Sequence, residues 1–200
     1  KHPKAKIAYH VDCGHLFTID TVTYSNFPLN ADSLIAASAD EAKIKSGSPF
    51  DVVSLDAERN RLSNLFRNHG YYYYQPSYAS YRADTVNTPG KVKLDVELAD
   101  NLPEKALKKW YIGNISINLR RTFMEELKDS IHYYFFRAYF NGKKPPVRPR
   151  VIMSDMKLRH GQPYDYSKHT ESNNRIASKG MFSSVDFQFT PRDTTAACDT

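Results

Sequence analysis

An internal repeat constrains the fold of this chain more than any other feature. The sequence Gly-Ser-Pro-Phe-Asp at 47–51 returns as Gly-Gln-Pro-Tyr-Asp at 161–165, and Asn-Arg-Leu at 60–62 returns as Asn-Arg-Ile at 174–176. Both pairs are separated by the same 114 residues without a gap. A fixed internal period indicates one structural module used more than once. The 200 residues are therefore predicted to form two units of about 100 residues each.

Composition excludes several classes of protein. The chain is 40% hydrophobic and 25% charged, as in ordinary globular domains. No apolar run approaches the roughly 18–20 residues that a membrane helix needs. The net charge of +6 suits an acidic partner or a membrane surface, but so modest a value is more typical of a charge that only maintains solubility. Cys13 and Cys198 are too few for a disulfide framework, and a bridge between them would require the two ends of the chain to meet.

Periodicity around the repeated motif predicts an α+β unit. Strand-like alternation occurs at 16–24, at the aromatic segment 71–81 and at 91–98. A short helix from Asn30 or Asp32 ends near Gly47, and a second helix begins at the N-cap Asp51 and stops at Gly70. The predicted order is strand, helix, helix, strand, strand. Two helices then cover one face of a small mixed three-stranded sheet.

The second copy departs from this order. Its first strand is predicted at 110–119, and its helices at 150–158 and 165–179, with Gly180 as the stop and a strand at 181–190. Residues 120–150 are an insertion. Within it, 131–140 is predicted as a strand in a hairpin extension with 111–119, and an amphipathic helix over 122–140 is the competing interpretation.

The predicted strand count is incomplete. The second unit lacks a final strand within the sequence, whereas a spare alternating segment at 4–12 precedes the first. We therefore expect residues 1–13 to carry the last strand of a preceding unit, 14–100 to form one domain, 101–109 a linker and 110–200 the second domain. This arrangement is typical of a window taken from a longer tandem array.

Candidate catalytic and metal-binding groups do not form a known pattern. His10 and His15 flank Cys13, and His160 and His169 lie around a turn, but no nucleophile or acidic pair has useful spacing to them. The sequence therefore predicts neither an enzyme nor a metal or other cofactor. The four consecutive tyrosines at 71–74 admit a second interpretation, a stacking platform for single-stranded nucleic acid, although packing under helices is favoured.

The repeated units resemble the POTRA domains of the BamA/TamA-like outer-membrane protein assembly superfamily. The insertion at 120–150 and the close of the sequence at 187–193 make the chain look more like the TamA-like, lipid-anchored branch. The resemblance is carried in the first copy by Gly47, Pro49, Phe50, Asp51, Leu62, Leu65, Gly70 and Tyr71, and in the second by Gly161, Pro163, Tyr164, Asp165, Ile176, Gly180, Met181 and Phe182.

The resemblance implies a non-enzymatic module in the periplasm of a Gram-negative bacterium, belonging to a surface antigen of the cell outer membrane. Its partners would be unfolded clients or assembly-complex subunits and a C-terminal β-barrel of the same chain, with no nucleic acid and with the membrane reached only through the rest of the protein. Clients would add as strands to sheet edges. The alternative is a spacer that positions the barrel. The edge residues implied are Tyr71, Tyr72, Tyr73, Tyr74 and Tyr78 in the first unit, and Phe182, Val185 and Phe187 in the second.

Overall fold

The computed structural model describes residues 7–12, 14–122 and 124–192, and only the backbone of Leu29. The chain divides into two compact units. The first consists of Lys1–Phe66 and Tyr73–Leu107, and the second of Arg67–Tyr72 and Lys108–Thr200. Cys13 and Cys198 both lie outside the described residues.

The first unit has the predicted order of elements. Its strands and helices are β1 (Thr18–Ser25), α1 (Leu29–Ala37), α2 (Val52–Asn68), β2 (Ala79–Asp84) and β3 (Lys91–Leu98). The sheet order is β1-β3-β2, with β3 parallel to β1 and antiparallel to β2. Inward-facing side chains of β3 are buried with apolar residues of α2, and the main members of this core are Leu62, Phe66, Val92, Leu94 and Val96.

The repeated motif performs the same local task in both units. Asp51 caps α2 by accepting a hydrogen bond from the Ser54 N–H (2.8 Å), and Asp165 accepts one from the Lys168 N–H (3.0 Å). Each cap satisfies a helix N–H that has no intrahelical partner. The motif glycines have φ of 83° at Gly47 and 78° at Gly161, a conformation that strains residues with a Cβ. The predicted caps and the glycine turns are confirmed.

The loop that carries the motif is bonded to the first strand of its unit. In the first unit the Ile19 N–H donates to Ser48 O (2.8 Å) and the Gly47 N–H donates to Ile19 O (2.7 Å). In the second unit the Ile112 N–H donates to Gln162 O (2.8 Å) and the Gly161 N–H to Ile112 O (2.7 Å). The two loops therefore hold their strands through equivalent pairs of backbone hydrogen bonds.

A buried charge network distinguishes the first unit. Glu58 of α2 is fully buried and binds Arg61 through a short ion pair (2.6 Å). It also accepts hydrogen bonds from the Tyr24 hydroxyl (2.8 Å) and the Lys43 N–H (2.7 Å). Burial acts to raise the pKa of Glu58, but these hydrogen bonds outweigh it and hold that pKa below its usual value.

The second unit places a serine where the first has this glutamate. Ser172 is fully buried, and its hydroxyl accepts a hydrogen bond from the Lys157 N–H (2.8 Å). Ser172 and Lys157 lie the repeat distance after Glu58 and Lys43. The serine therefore satisfies the equivalent backbone donor without a buried charge, and Arg175 pairs instead with the exposed Glu171 (2.8 Å).

The elements of the second unit are β4 (Ile115–Asn118), β5 (Asp129–Tyr133), β6 (Phe136–Phe140), α3 (Pro149–Asp155) and α4 (Tyr166–Ala177). The insertion forms strands and not the competing helix, but the single strand predicted at 131–140 is wrong, because a turn at 134–135 divides this segment between two strands. The predicted pairing with 111–119 as a hairpin is also wrong. β5 and β6 form a hairpin of their own, and β6 pairs in parallel with β4, because the connection between β4 and β6 is long enough for a crossover.

Three further strand predictions differ from the structure. The predicted strand at 71–81 begins only at Ala79, after turns at 71–78. Residues 181–190 form no strand. Residues 7–12 of the segment 4–12 form no strand either, because no neighbouring strand is present to bond them, and residues 4–6 lie outside the described residues. The assignment of residues 1–13 to a preceding unit stays a prediction.

Replacing Glu58 with Ala is expected to destabilise the first unit by about 3–5 kcal/mol, because the substitution leaves Arg61 buried without its anion. The measurement is amide hydrogen exchange as a function of urea, at Val92, Leu94 and Val96 for the first unit and at Ile117 and Ala138 for the second. The matched control is Glu171→Ala, which breaks an exposed pair and should cost the second unit about 0–1 kcal/mol. Equal effects of the two substitutions would contradict the assigned role of the buried network.

Candidate functional site

None of the eight residues predicted to form polypeptide-binding edge strands lies in a strand. Tyr71–Tyr74 lie in a turn after α2, and Tyr78 lies in a 3₁₀ turn before β2. Phe182, Val185 and Phe187 lie in the segment after α4, which forms no strand. β2 is nevertheless an edge strand, as expected for the strand after the second helix, and Pro76 precedes it rather than interrupting it.

Two of the four tyrosines at 71–74 pack into the interior. Tyr71 and Tyr74 are buried, and the Tyr74 ring lies 4.6 Å from Phe66 and 5.7 Å from Tyr78. The predicted alternation, in which Tyr71 and Tyr73 share a face, is wrong because a turn does not follow the two-residue period of a strand. A nucleic-acid stacking platform needs consecutive exposed rings, and the buried rings of Tyr71 and Tyr74 do not provide it.

An aromatic cluster occupies the second unit beside α4, and it includes residues that were predicted at an exposed edge. It consists of Tyr72, Tyr164, His169, Phe187 and Phe189. Tyr164 is 1% exposed, and its ring lies 4.8 Å from Tyr72 and 5.5 Å from Phe189. His169 lies 4.9 Å from Phe187. The cluster explains why the motif has an aromatic residue at 164, a signal that the sequence carried without revealing its partners.

His169 is the imidazole member of this aromatic cluster. Burial lowers its pKa, and the positive charge of Arg67 lowers it further. Its Nδ1 atom lies 3.1 Å from the Tyr164 hydroxyl, which can donate to it when the ring is neutral. The cluster therefore favours the uncharged imidazole.

Backbone hydrogen bonds in the first unit show which edge of β1 pairs with β3. In a strand of L-residues, all residues whose side chains lie on the same face of the sheet direct their backbone N–H and C=O groups to the same edge of the strand. Ile19 faces the core, and its N–H points away from β3 to Ser48 O. The N–H of its outward-facing neighbour Thr18 donates to Gly90 O (3.2 Å), next to β3. β3 therefore lies along the edge of β1 to which residues with outward-facing side chains direct their backbone groups.

The bonding side is reversed in the second unit. Leu119, directly after β4, faces the core, yet its N–H donates to Tyr139 O of β6 (2.9 Å). The hairpin therefore lies on the side of β4 opposite to the one that β3 occupies on β1. The other side, to which the outward-facing Ser116 and Asn118 direct their backbone groups, carries no strand within the described residues. We call this side the open edge of β4.

The segment after α4 has the alternation of a strand but no strand to pair with. Val185, Phe187 and Phe189 pack against the core, while Asp186 and Gln188 are exposed. In the first unit the corresponding strand, β2, bonds to β3 and not to β1. No equivalent of β3 is present in the described part of the second unit. This absence explains why the predicted strand at 181–190 is not formed.

The described residues contain no cluster of three or more His, Cys, Asp or Glu side chains that would hold a metal ion. A search of the described helices found none with the length and apolar character needed to cross a bilayer. The open edge of β4 offers unpaired backbone groups, and such groups can accept another extended chain.

The fold of this chain is similar to that of solved structures. No protein-family model and no curated protein matches the sequence. Among solved structures, BamA POTRA3-5 of Haemophilus influenzae matches with 9% identity and a TM-score of 0.53, over 90% of this chain and 57% of that one. BamA of Haemophilus ducreyi lacking POTRA domains 1–3 matches with 11% identity and a TM-score of 0.62, over 90% and 27%.

These likenesses concern the fold. The α+β units of this chain are folded like POTRA domains, and this confirms the predicted fold class. The chain spans just over half of the first matched chain and about a quarter of the second. At such low identities a shared fold does not carry a shared function.

Acidification is expected to destabilise the second unit through His169. The pKa of His169 in the folded state lies below the value of about 6.5 that it has in the unfolded state. Below about pH 6.5 the unfolded chain therefore binds a proton that the folded chain does not, so the free energy of unfolding decreases as the pH falls. The urea midpoint, followed by Trp110 fluorescence, should therefore fall between about pH 7.5 and about pH 5.5. His169→Phe keeps an aromatic ring and should remove most of this fall.

The exposed His132 supplies the control for this experiment. His132→Gln should retain the wild-type pH dependence, because its side chain is outside the aromatic cluster. If His169→Phe keeps the full pH dependence as well, another group is responsible.

Proposed function

We propose that this chain is a non-enzymatic periplasmic module of an outer-membrane β-barrel assembly protein, and that it binds client polypeptides as an added strand at the open edge of β4. The observation that carries the proposal is that β4 pairs with β6 along the edge opposite to the one that β1 uses for β3. It leaves a row of backbone donors and acceptors beside an apolar core. The POTRA-like fold supports the cellular setting, because the matched structures are of BamA.

The open edge of β4 suits a strand of loosely defined sequence. Pairing to Ser116 and Asn118 would use only backbone groups, so it selects for extended conformation rather than for particular side chains. Ile115 and Ile117 face the core beside this edge, and Val185 and Phe187 pack against the same core. A bound strand with alternating apolar residues would therefore bury its apolar side in the core, as β3 does in the first unit.

A specific observation favours a second function, that of a structural spacer. Val185, Phe187 and Phe189 alternate inward beside the open edge of β4, an arrangement that a unit would have if a closing strand were taken away from that edge. In this case a strand of the same polypeptide, parallel to β4, completes the second unit, which then positions a barrel without holding clients there. The same missing strand underlies the assignment of 110–200 as an incomplete domain.

The finer family assignment is also a proposal. The likeness to the TamA-like, lipid-anchored branch rests on the insertion at 120–150 and on the close of the sequence at 187–193, and the insertion forms a hairpin that the first unit lacks. Metabolic labelling of the full-length protein with a fatty acid tests for the anchor. Absence of label would count against the branch, and would leave the POTRA-like fold unaffected.

Replacing Ser116 with Pro is expected to block strand addition without unfolding the unit. Its N–H faces the open edge, and proline is tolerated on an edge strand where the lost donor faces solvent. The probe is a capped peptide with the β3 sequence Lys91–Leu98, and a second probe has the same residues shuffled so that alternation is lost. Wild-type protein should bind the first peptide at least about tenfold more tightly than Ser116→Pro does.

The matched control is Ser116→Ala, which keeps the N–H and should bind the peptide like the wild type. Amide exchange in the full-length protein distinguishes the two functions. If Ser116 and Asn118 are protected without any client, a strand of the protein itself fills the edge and client binding there is excluded. Unprotected amides together with peptide binding would support capture of clients.

A further inference from the structure

The turn between β5 and β6 carries two aromatic residues where a hairpin normally carries none. Tyr133 pairs with Phe136, so only Tyr134 and Phe135 connect the strands. Such two-residue turns favour Asn and Gly, which adopt positive φ at little cost. Tyr134 is 91% exposed and Phe135 65% exposed. Their rings lie 4.6 Å apart in an edge-to-face arrangement. We call this pair the hairpin tip.

Neither turn chemistry nor packing explains the hairpin tip. Within the described residues, positive φ outside glycine occurs only at Asn26 and Asn101, so the tip lacks the backbone that the favoured two-residue turns require. Its rings are too exposed to contribute to the core. The two adjoining rings form a small exposed apolar patch, and an exposed apolar patch rimmed by polar residues can serve as an interaction site.

A basic groove lies beside the hairpin tip. It has a volume of about 470 Å³ and is lined by Tyr133, Pro145, Arg148, Pro149, Arg150, Val151 and Ser154. The Arg150 guanidinium lies 5.5 Å from the centre of the Tyr133 ring. No described carboxylate forms an ion pair with Arg148 or Arg150, since the nearby Asp155 pairs with Lys179 (2.9 Å).

The charge of the chain is concentrated in this insertion. Residues 120–150 contain eight Lys and Arg against three Asp and Glu, a net charge of +5 out of +6 for the whole chain. The guanidinium group is suited to phosphate, which it binds through two parallel hydrogen bonds. Exposed aromatic rings next to arginines therefore form a surface with both an apolar and a phosphate-binding component.

We propose that the hairpin tip inserts into the headgroup region of an anionic phospholipid membrane while Arg148 and Arg150 bind lipid phosphates. A membrane fits this surface better than a protein does. A two-residue convex tip buries far less than the roughly 1,000 Å² of a specific protein interface, whereas aromatic rings at headgroup level together with nearby cations are enough for peripheral membrane binding. The proposal is independent of client binding at β4. It replaces the expectation that the chain meets a membrane only through the rest of the protein.

The experiment is flotation of the protein with vesicles of phosphatidylethanolamine and phosphatidylglycerol in a ratio of three to one, compared with vesicles of phosphatidylcholine alone. The wild type should float with the anionic vesicles and release them as salt increases, because the arginine contribution is screened. The double substitution Tyr134→Asn and Phe135→Gly removes both rings and installs a favoured hairpin turn. It should keep the fold and lose at least about tenfold in vesicle affinity.

Two arginine pairs separate phosphate binding from general attraction of charge. Arg148→Gln with Arg150→Gln should lose at least about tenfold in affinity. The matched control is Arg120→Gln with Arg121→Gln. This pair removes the same charge at the opposite end of the hairpin, about 16 Å from the tip by strand length, and should lose less than about threefold.

Three outcomes would overturn the proposal. They are absence of vesicle binding, equal binding to phosphatidylcholine, and unchanged affinity in the variant with Asn and Gly at the tip. If wild-type protein ignores vesicles but is retained on an immobilised acidic polypeptide through Arg148 and Arg150, the surface binds protein and the membrane proposal is wrong.

Discussion

Both units depend on the pair of backbone hydrogen bonds that joins the motif loop to the first strand. Ile19 and Ile112 each exchange two bonds with their loops, at 2.7–2.8 Å. These bonds hold the start of the first strand to the loop before the second helix, but they do not decide which edge of that strand pairs, since β3 and β6 lie on opposite sides. The motif glycine supplies the positive φ that lets the loop turn towards the strand. The following Asp then starts the second helix. The attachment of the first strand and the start of the second helix thus follow from one short segment.

The two units solve the same buried-donor problem in different ways. An N–H at Lys43 or Lys157 is directed at the second helix and needs an acceptor there. Glu58 supplies a charged acceptor that in turn requires Arg61 and Tyr24. Ser172 supplies a neutral acceptor that requires no counter-charge. A buried ion network specifies geometry but makes the unit sensitive to loss of one member. The serine version frees Arg175 for the surface, so the units share a fold while differing in what destabilises them.

Sequence reasoning succeeded where a signal is local and failed where it depends on a partner. The structure confirms the glycine turn at Gly47, the helix cap at Asp51 and the strand at 91–98, because each of these signals depends on the conformation of its own segment. The alternation of Val185, Phe187 and Phe189 is equally clear, but a strand also needs a neighbour to bond, and none is described. The tyrosines at 71–74 failed for a different reason. Their β propensity reflects packing on a half-buried surface, and a turn can provide such packing as well as a strand does. The edge of β4 that pairs with the hairpin could not be predicted, because a strand with the same pattern of residues can pair along either edge.

The position of the hairpin links the two proposals for this chain. A hairpin on the same side as β3 would complete the sheet of the second unit and leave no function for β4. On the opposite side it becomes an addition that the first unit lacks, and it leaves the edge used by β3 unpaired. The insertion can therefore carry a new surface, the aromatic tip and its basic groove, without consuming the site where a strand adds. One fold then presents two chemically different surfaces, backbone groups at β4 and rings with guanidinium groups at the tip. Separate substitutions can remove either surface while the core formed by Ile117, Ala138 and Ile176 stays intact.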